Sequence, residues 1–217
     1  MEEKNFLARL SSKGFTLLEV LASITILSIV AIGMFSFFTN AMQYTTYNQD
    51  KTVAINIARG VLAYMERLDF TELKQYVESK INNTDSQSFV YLNASDCSAD
   101  GFPLLGGEND KETNQKTCER ALGPAVNNID YKTRVHIFLV PYDKKAQDEL
   151  KANPPEQFPA SLIEKIRRED EEDGEGAENI NTDLQNYLLK VYVIVRWGDR
   201  VEDSEWLEGV IADETIR

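Results

Sequence analysis

The chain has 217 residues and a formal net charge of −13, enough length for one ordinary domain plus an appendage. Its 36 Asp and Glu against 23 Lys and Arg leave no basic stripe, which argues against a sequence-independent nucleic-acid binder; no nucleic-acid partner is expected.

The first element is a polar segment followed by an apolar one. Lys4, Arg9 and Lys13, partly offset by Glu2 and Glu3, precede FTLLEVLASITILSIVAIGMFSFF at Phe15 to Phe38. As a helix this run is about 35 Å long, enough to cross a hydrocarbon core of roughly 30 Å. Glu19 is the single formally charged side chain between Phe15 and Gln49. An acidic group at mid-membrane costs roughly 2.5–3.5 kcal/mol, so it calls for a partner unless it rests at the headgroups. Basic residues before the span and acidic ones after it predict a single-pass protein with a cytoplasmic N-terminus and an exported remainder. A secretory signal has an apolar run of only about 7 to 15 residues, although Thr39-Asn40-Ala41 is a weak cleavage candidate.

The motif KGFTLLEVL at Lys13 to Leu21 carries a more specific likeness. A short polar leader ending in Gly14, then Phe15, then a glutamate at the fifth apolar position resembles the type IV prepilins. The resemblance implies that prepilin peptidase cuts between Gly14 and Phe15 and methylates the new amine of Phe15. It also implies that Glu19 meets the Phe15 amine of a neighbouring subunit during assembly. Physical chemistry suits each position. Gly14 lets an extended backbone enter a protease site closely, and Phe15 sits well at a membrane interface. An amine and a carboxylate, each costly in an apolar bundle, satisfy one another when paired. The implied partners are other pilin or pseudopilin subunits, prepilin peptidase, the inner-membrane assembly platform and, before assembly, membrane lipid. After assembly the domain would stand on a filament at the cell surface or in the periplasm.

Beyond the span, Ala54, Ile57, Ala58, Val61, Leu62, Met65 and Leu68 recur at three- and four-residue steps, which predicts an amphipathic continuation of the same helix. Asp69 followed by Glu72 resembles a capping box and predicts a short helix from about Phe70 to Ile81. Polar and glycine-rich loops then run to about Asn128, interrupted by strand-like residues at Ser88 to Ala94. Cys97 and Cys118 lie there. They are too few for a zinc site unless His136 and a carboxylate join them, so no metal or other cofactor is expected. In an exported domain one disulfide is the simplest reading, with two free structural thiols as the alternative.

Strands are predicted at Tyr131–Pro141, Tyr187–Trp197 and Glu205–Glu214. Alternation of Lys190, Tyr192, Ile194 and Arg196 with Val191, Val193, Val195 and Trp197 predicts a half-buried antiparallel strand whose apolar face receives the helix. This ending resembles, loosely, minor pilins of the PilV type and minor pseudopilins. From about Tyr142 to Asp183 an acidic insertion intervenes, whose capping-box pattern at Ser161 and Glu164 predicts a small helix through Ile166 towards the acidic run REDEEDGEGAE. Counting back from Gly174 puts Glu169, Glu171 and Asp173 at calcium-loop positions, but Ile180 stands where the bidentate glutamate belongs, so the template fails and a solvated loop is expected. The fold class expected is α+β: a long N-terminal helix packed on an antiparallel sheet of about four strands, pilin-like. The divisions expected are a leader at 1–14, a filament-core helix at 15–38 and an exported domain at 39–217.

Catalytic patterns are absent from the sequence: no Walker loop, no GxGxxG, no HExxH, and His136 as the sole histidine. Trp197 and Trp206 read as packing groups rather than a sugar platform. The reading is a non-enzymatic minor subunit of a type IV pilus or related filament. The alternatives are a minor pseudopilin of a type II secretion or competence system, or a filament-displayed adhesin or other binding module.

Overall fold

The structure, a computed structural model, describes residues 14–83, 87–106, 110–173 and 186–213. The leader residues 1–13 and the calcium template's Gly174 and Ile180 lie outside them. The chain divides into two compact units between Asn48 and Gln49.

The first unit is the apolar part of helix α1, Leu17–Met65. No proline occurs before Pro103, so nothing interrupts the i→i−4 ladder, and the helix runs through Gly33 and Gly60. The most apolar window of α1 has a mean hydropathy of 2.3, and none of it is buried. Ser23, Thr25, Ser28 and Thr39 each donate their hydroxyl to a carbonyl three or four residues back. These polar groups are therefore satisfied within the helix, as a surface placed in lipid or in an apolar bundle requires.

In the second unit α1 becomes one-sided, burying Ala54, Ile57, Ala58, Val61, Tyr64 and Met65. Asp69 then caps α2 (Phe70–Asn82), its carboxylate accepting from the Glu72 amide at 2.9 Å. The expected capping box is thus a working N-cap. Next come β1 (Val90–Leu92), a 3₁₀ turn at Ala94–Ser98, α3 (Lys111–Leu122), and a small hairpin of β2 (Ala125–Val126) and β3 (Ile129–Asp130). The hairpin turns on Asn127 and Asn128, both at positive φ, a conformation that asparagine tolerates better than most residues. The remaining elements are β4 (Val135–Pro141), α4 (Lys144–Ala152), α5 (Ala160–Asp173), β5 (Leu188–Arg196) and β6 (Ser204–Ala212).

Four strands form one antiparallel sheet in the order β1-β4-β5-β6. Val135, Ile137, Leu139, Val191, Val193 and Val195 face the core shared with α1 and α2. The α+β class and the helix-on-sheet arrangement are as expected. The opposite face departs from expectation. Phe138, Val140, Tyr192 and Ile194 build a second core with Ala146 and Leu150 of α4, Phe158, and Leu162 and Ile166 of α5. So β5 is buried on both sides through its centre; the small helix expected through Ile166 is present as α5, and with α4 it forms a packed layer that the sequence did not suggest. Leu162 and Ile166 sit one turn apart, a pair too short to stand out in a sequence dominated by charge.

Two further corrections concern helix starts. Ser161 is not a cap, because α5 begins at Ala160 and the Ser161 hydroxyl accepts from the Trp206 indole at 3.1 Å. Helix α3 was not expected at all: only Cys118 and Leu122 on it are buried, which leaves almost no apolar period to read.

Gly123 ends α3 where the chain has no room. A Cβ there would lie 2.8 Å from the Lys132 Cα and 2.9 Å from the Ala94 Cβ. Because one of those contacts is backbone, Gly123→Ala is expected to cost about 1–3 kcal/mol, read as a lowered urea midpoint without a change in slope.

Candidate functional site

Gly14, Phe15 and Thr16 precede the helix and have no regular structure. Thr16 is the N-cap: its hydroxyl accepts from the Glu19 amide at 3.2 Å, and its carbonyl accepts from the Val20 amide at 3.2 Å. The Gly14–Phe15 peptide bond therefore lies just outside the first helical turn. Phe15 is 81 % exposed, and a side chain at Gly14 would meet nothing. Thr16 was not among the expected site residues, although Thr-x-x-Glu followed by an apolar run is a legible helix-start signature.

Glu19 is an exposed acid in the first turn of α1. Its position suits the positive end of the helix dipole, which favours an anion by about 0.3–1 kcal/mol. Its neighbours Leu17, Leu18, Val20 and Leu21 are large, apolar and exposed. Once that surface enters lipid or packs on other apolar helices, the dipole alone falls short of the cost of burying a carboxylate, and a cation is needed.

Cys97 of the 3₁₀ turn and Cys118 of α3 form a disulfide, with a Cα separation of 5.8 Å, and both are buried. The bond fastens α3 to the turn after β1. This settles the choice between a bridge and two free thiols.

Elsewhere one charged cluster is built into the sheet. Glu208 on β6 lies between Lys190 of β5, at 2.7 Å, and Lys165 of α5. Burial alone would raise the Glu208 pKa, but hydrogen bonds from Lys165 and Lys190 outweigh it and hold the carboxyl below its ordinary value. Burial disfavours the Lys190 charge, but bonding to Glu208 dominates and raises its pKa. Trp197 and Trp206 pack against different cores, on opposite faces of the sheet, and so form no common platform.

His136 is buried and only partly satisfied. Its Nδ1 lies 3.0 Å from the Tyr91 hydroxyl, and its Nε2 has no partner. Burial, with the Arg196 charge second, pushes its pKa down to about 4. Among the described residues no cluster of His, Cys, Asp and Glu is able to hold a metal ion.

No curated protein matches the chain, and no solved structure matches it. At residues 9–35, which hold Gly14, Phe15, Thr16 and Glu19, the chain matches the family described as the prokaryotic N-terminal methylation motif, a type IV prepilin-like signal.

Proposed function

We propose that this chain is a minor subunit of a type IV pilus or related filament, made as a precursor. Prepilin peptidase removes residues 1–14, cutting between Gly14 and Phe15, and methylates the Phe15 amine. The subunit is held by α1 as a single-pass protein of the cytoplasmic membrane until the assembly platform moves it into a filament. The filament-core segment is then 15–38, and the exported domain, 39–217, faces outward. The role is structural rather than enzymatic.

The observation that carries this reading is the methylation motif at residues 9–35, set on a helix whose most apolar window is wholly uncovered. An apolar helix of this kind needs lipid or other helices around it. The test is to co-express the chain with prepilin peptidase and determine the mature N-terminus by mass spectrometry. The expected product begins with methylated Phe15. An intact leader, or a cut after Ala41, overturns the reading.

Glu19 pairs with the Phe15 amine of the adjacent subunit in this proposal. Glu19→Ala is then expected to be cleaved normally but to enter filaments poorly, measured as the ratio of sheared-filament to membrane-bound protein. Normal incorporation refutes the pairing.

A further inference from the structure

The β4–β5 register sets His136 opposite Ile194, and Arg196 lies two residues further along β5 on the same face. Diagonal cross-strand neighbours are roughly 7–8 Å apart, within reach of an arginine side chain. Both residues carry buried nitrogens without a hydrogen-bond partner, His136 Nε2 and Arg196 Nε. Arg196 forms no ion pair with any carboxylate among the described residues. Glu208, the acid on this face of β6, is already taken by Lys165 and Lys190.

The Tyr91–Nδ1 hydrogen bond is compatible with either tautomer of the imidazole. When the phenol donates to Nδ1, the neutral ring carries its hydrogen on Nε2 and presents a donor. The Nε of Arg196 is always a donor. In that tautomer what this corner of the sheet lacks is an acceptor. A carbonyl or a water accepts these bonds too, but an oxyanion also compensates the Arg196 charge. The corner lies near the protein surface, since Tyr91 is 38 % exposed and Arg196 is half-buried, while the two nitrogens themselves are buried.

We infer that His136 and Arg196 form a binding site for one oxyanion, a carboxylate or phosphate group. The inference is independent of how the N-terminus is processed. In a chain of net charge −13 the long-range field repels anions, so affinity here comes from the two short-range donors and binding is weak.

His136 is the only histidine, so in the full chain labelled with ¹³C-histidine its imidazole gives a single signal without further assignment. The experiment titrates inorganic phosphate, and separately acetate, into the detergent-solubilised full chain at pH 7, with sodium chloride holding ionic strength constant. The expected result is a saturable shift of the His136 Cε1–H signal with at least one of the two anions, absent with chloride alone. Saturation by phosphate only identifies a phosphate site, and by acetate only a carboxylate site. Arg196→Gln is expected to raise the half-saturating concentration about tenfold or more, as loss of a charged hydrogen bond implies. A signal that neither anion moves beyond the chloride control overturns the site, and that comparison needs no variant. Unchanged half-saturation in Arg196→Gln overturns the role of Arg196.

Discussion

Glu208→Ala is expected to destabilise the globular unit by about 3 kcal/mol, because removing one member of a buried ion cluster leaves the others uncompensated. The geometry places this acid well above an ordinary surface partner, whose loss costs about 1 kcal/mol or less. The Lys190 side chain is 12 % exposed and that of Glu208 16 %, so neither is fully hydrated when the other is lost. Lys165 is 38 % exposed and recovers part of its hydration, which keeps the estimate near the lower end of the range for buried pairs. The same acid joins the two layers of the second core, since Lys165 comes from α5 while Lys190 and Glu208 come from the sheet. The check is equilibrium urea unfolding of wild type, Glu208→Ala and Glu208→Gln. A change below about 1 kcal/mol in both variants refutes the buried-cluster account. The pH dependence has a fixed sign. The folded-state pKa of Glu208 is lowered, so its contribution is present above the unfolded carboxyl pKa and fades as pH falls through the folded one. Wild type should therefore lose more stability on acidification than Glu208→Gln.

Removing the disulfide by Cys97→Ser with Cys118→Ser is expected to cost about 3 kcal/mol on chain-entropy grounds. The closed loop has a sequence separation of 21 residues. Local structure should change more than that figure suggests. Helix α3 buries only Cys118 and Leu122, and one of those is the bridge itself. Without the bond, Leu122 and the partly buried Ala121 are left to hold a 12-residue polar helix, and isolated helices of this length are marginal in water. Hydrogen exchange should therefore show α3 amides losing protection well before those of β4 and β5, which lie at the centre of the sheet. Equal protection of α3 in the oxidised wild type and the double variant counts against this account. A disulfide also implies maturation in an oxidising compartment, consistent with export of the globular unit.

The parts of this protein that were legible in its sequence are those governed by local rules. Lys13 to Leu21 is a contiguous motif, and its neighbouring apolar run has a period and length that only a spanning or bundled helix satisfies. The Asp69 cap, the stripe from Ala54 to Met65, and the apolar runs of β4 and β5 are likewise short-range patterns, and the cap, helix and strands form where expected, although both strands are buried on two faces rather than one. Helices α3 and α4, and the packing of the expected small helix α5 against the sheet, were not legible, because their burial depends on a few residues meeting a surface formed elsewhere. For α3 that surface is the turn carrying Cys97; for α5 it is the aromatic face of Phe138 and Tyr192. Lys190 and Arg196 show the same limit. By alternation they read as solvent-facing charges, yet one is locked to Glu208 and the other lies beside a buried imidazole.

The sequence by itself determined the start of α1, the apolar helix behind it and the class of the fold, since capping, helical period and strand alternation are set by residues a few positions apart. Only the tertiary structure decided that the insertion covers the second face of the sheet, that Cys97 meets Cys118, and that His136 shares a corner with Arg196. Those outcomes depend on which surfaces are brought together across tens of residues, and no local spacing encodes that.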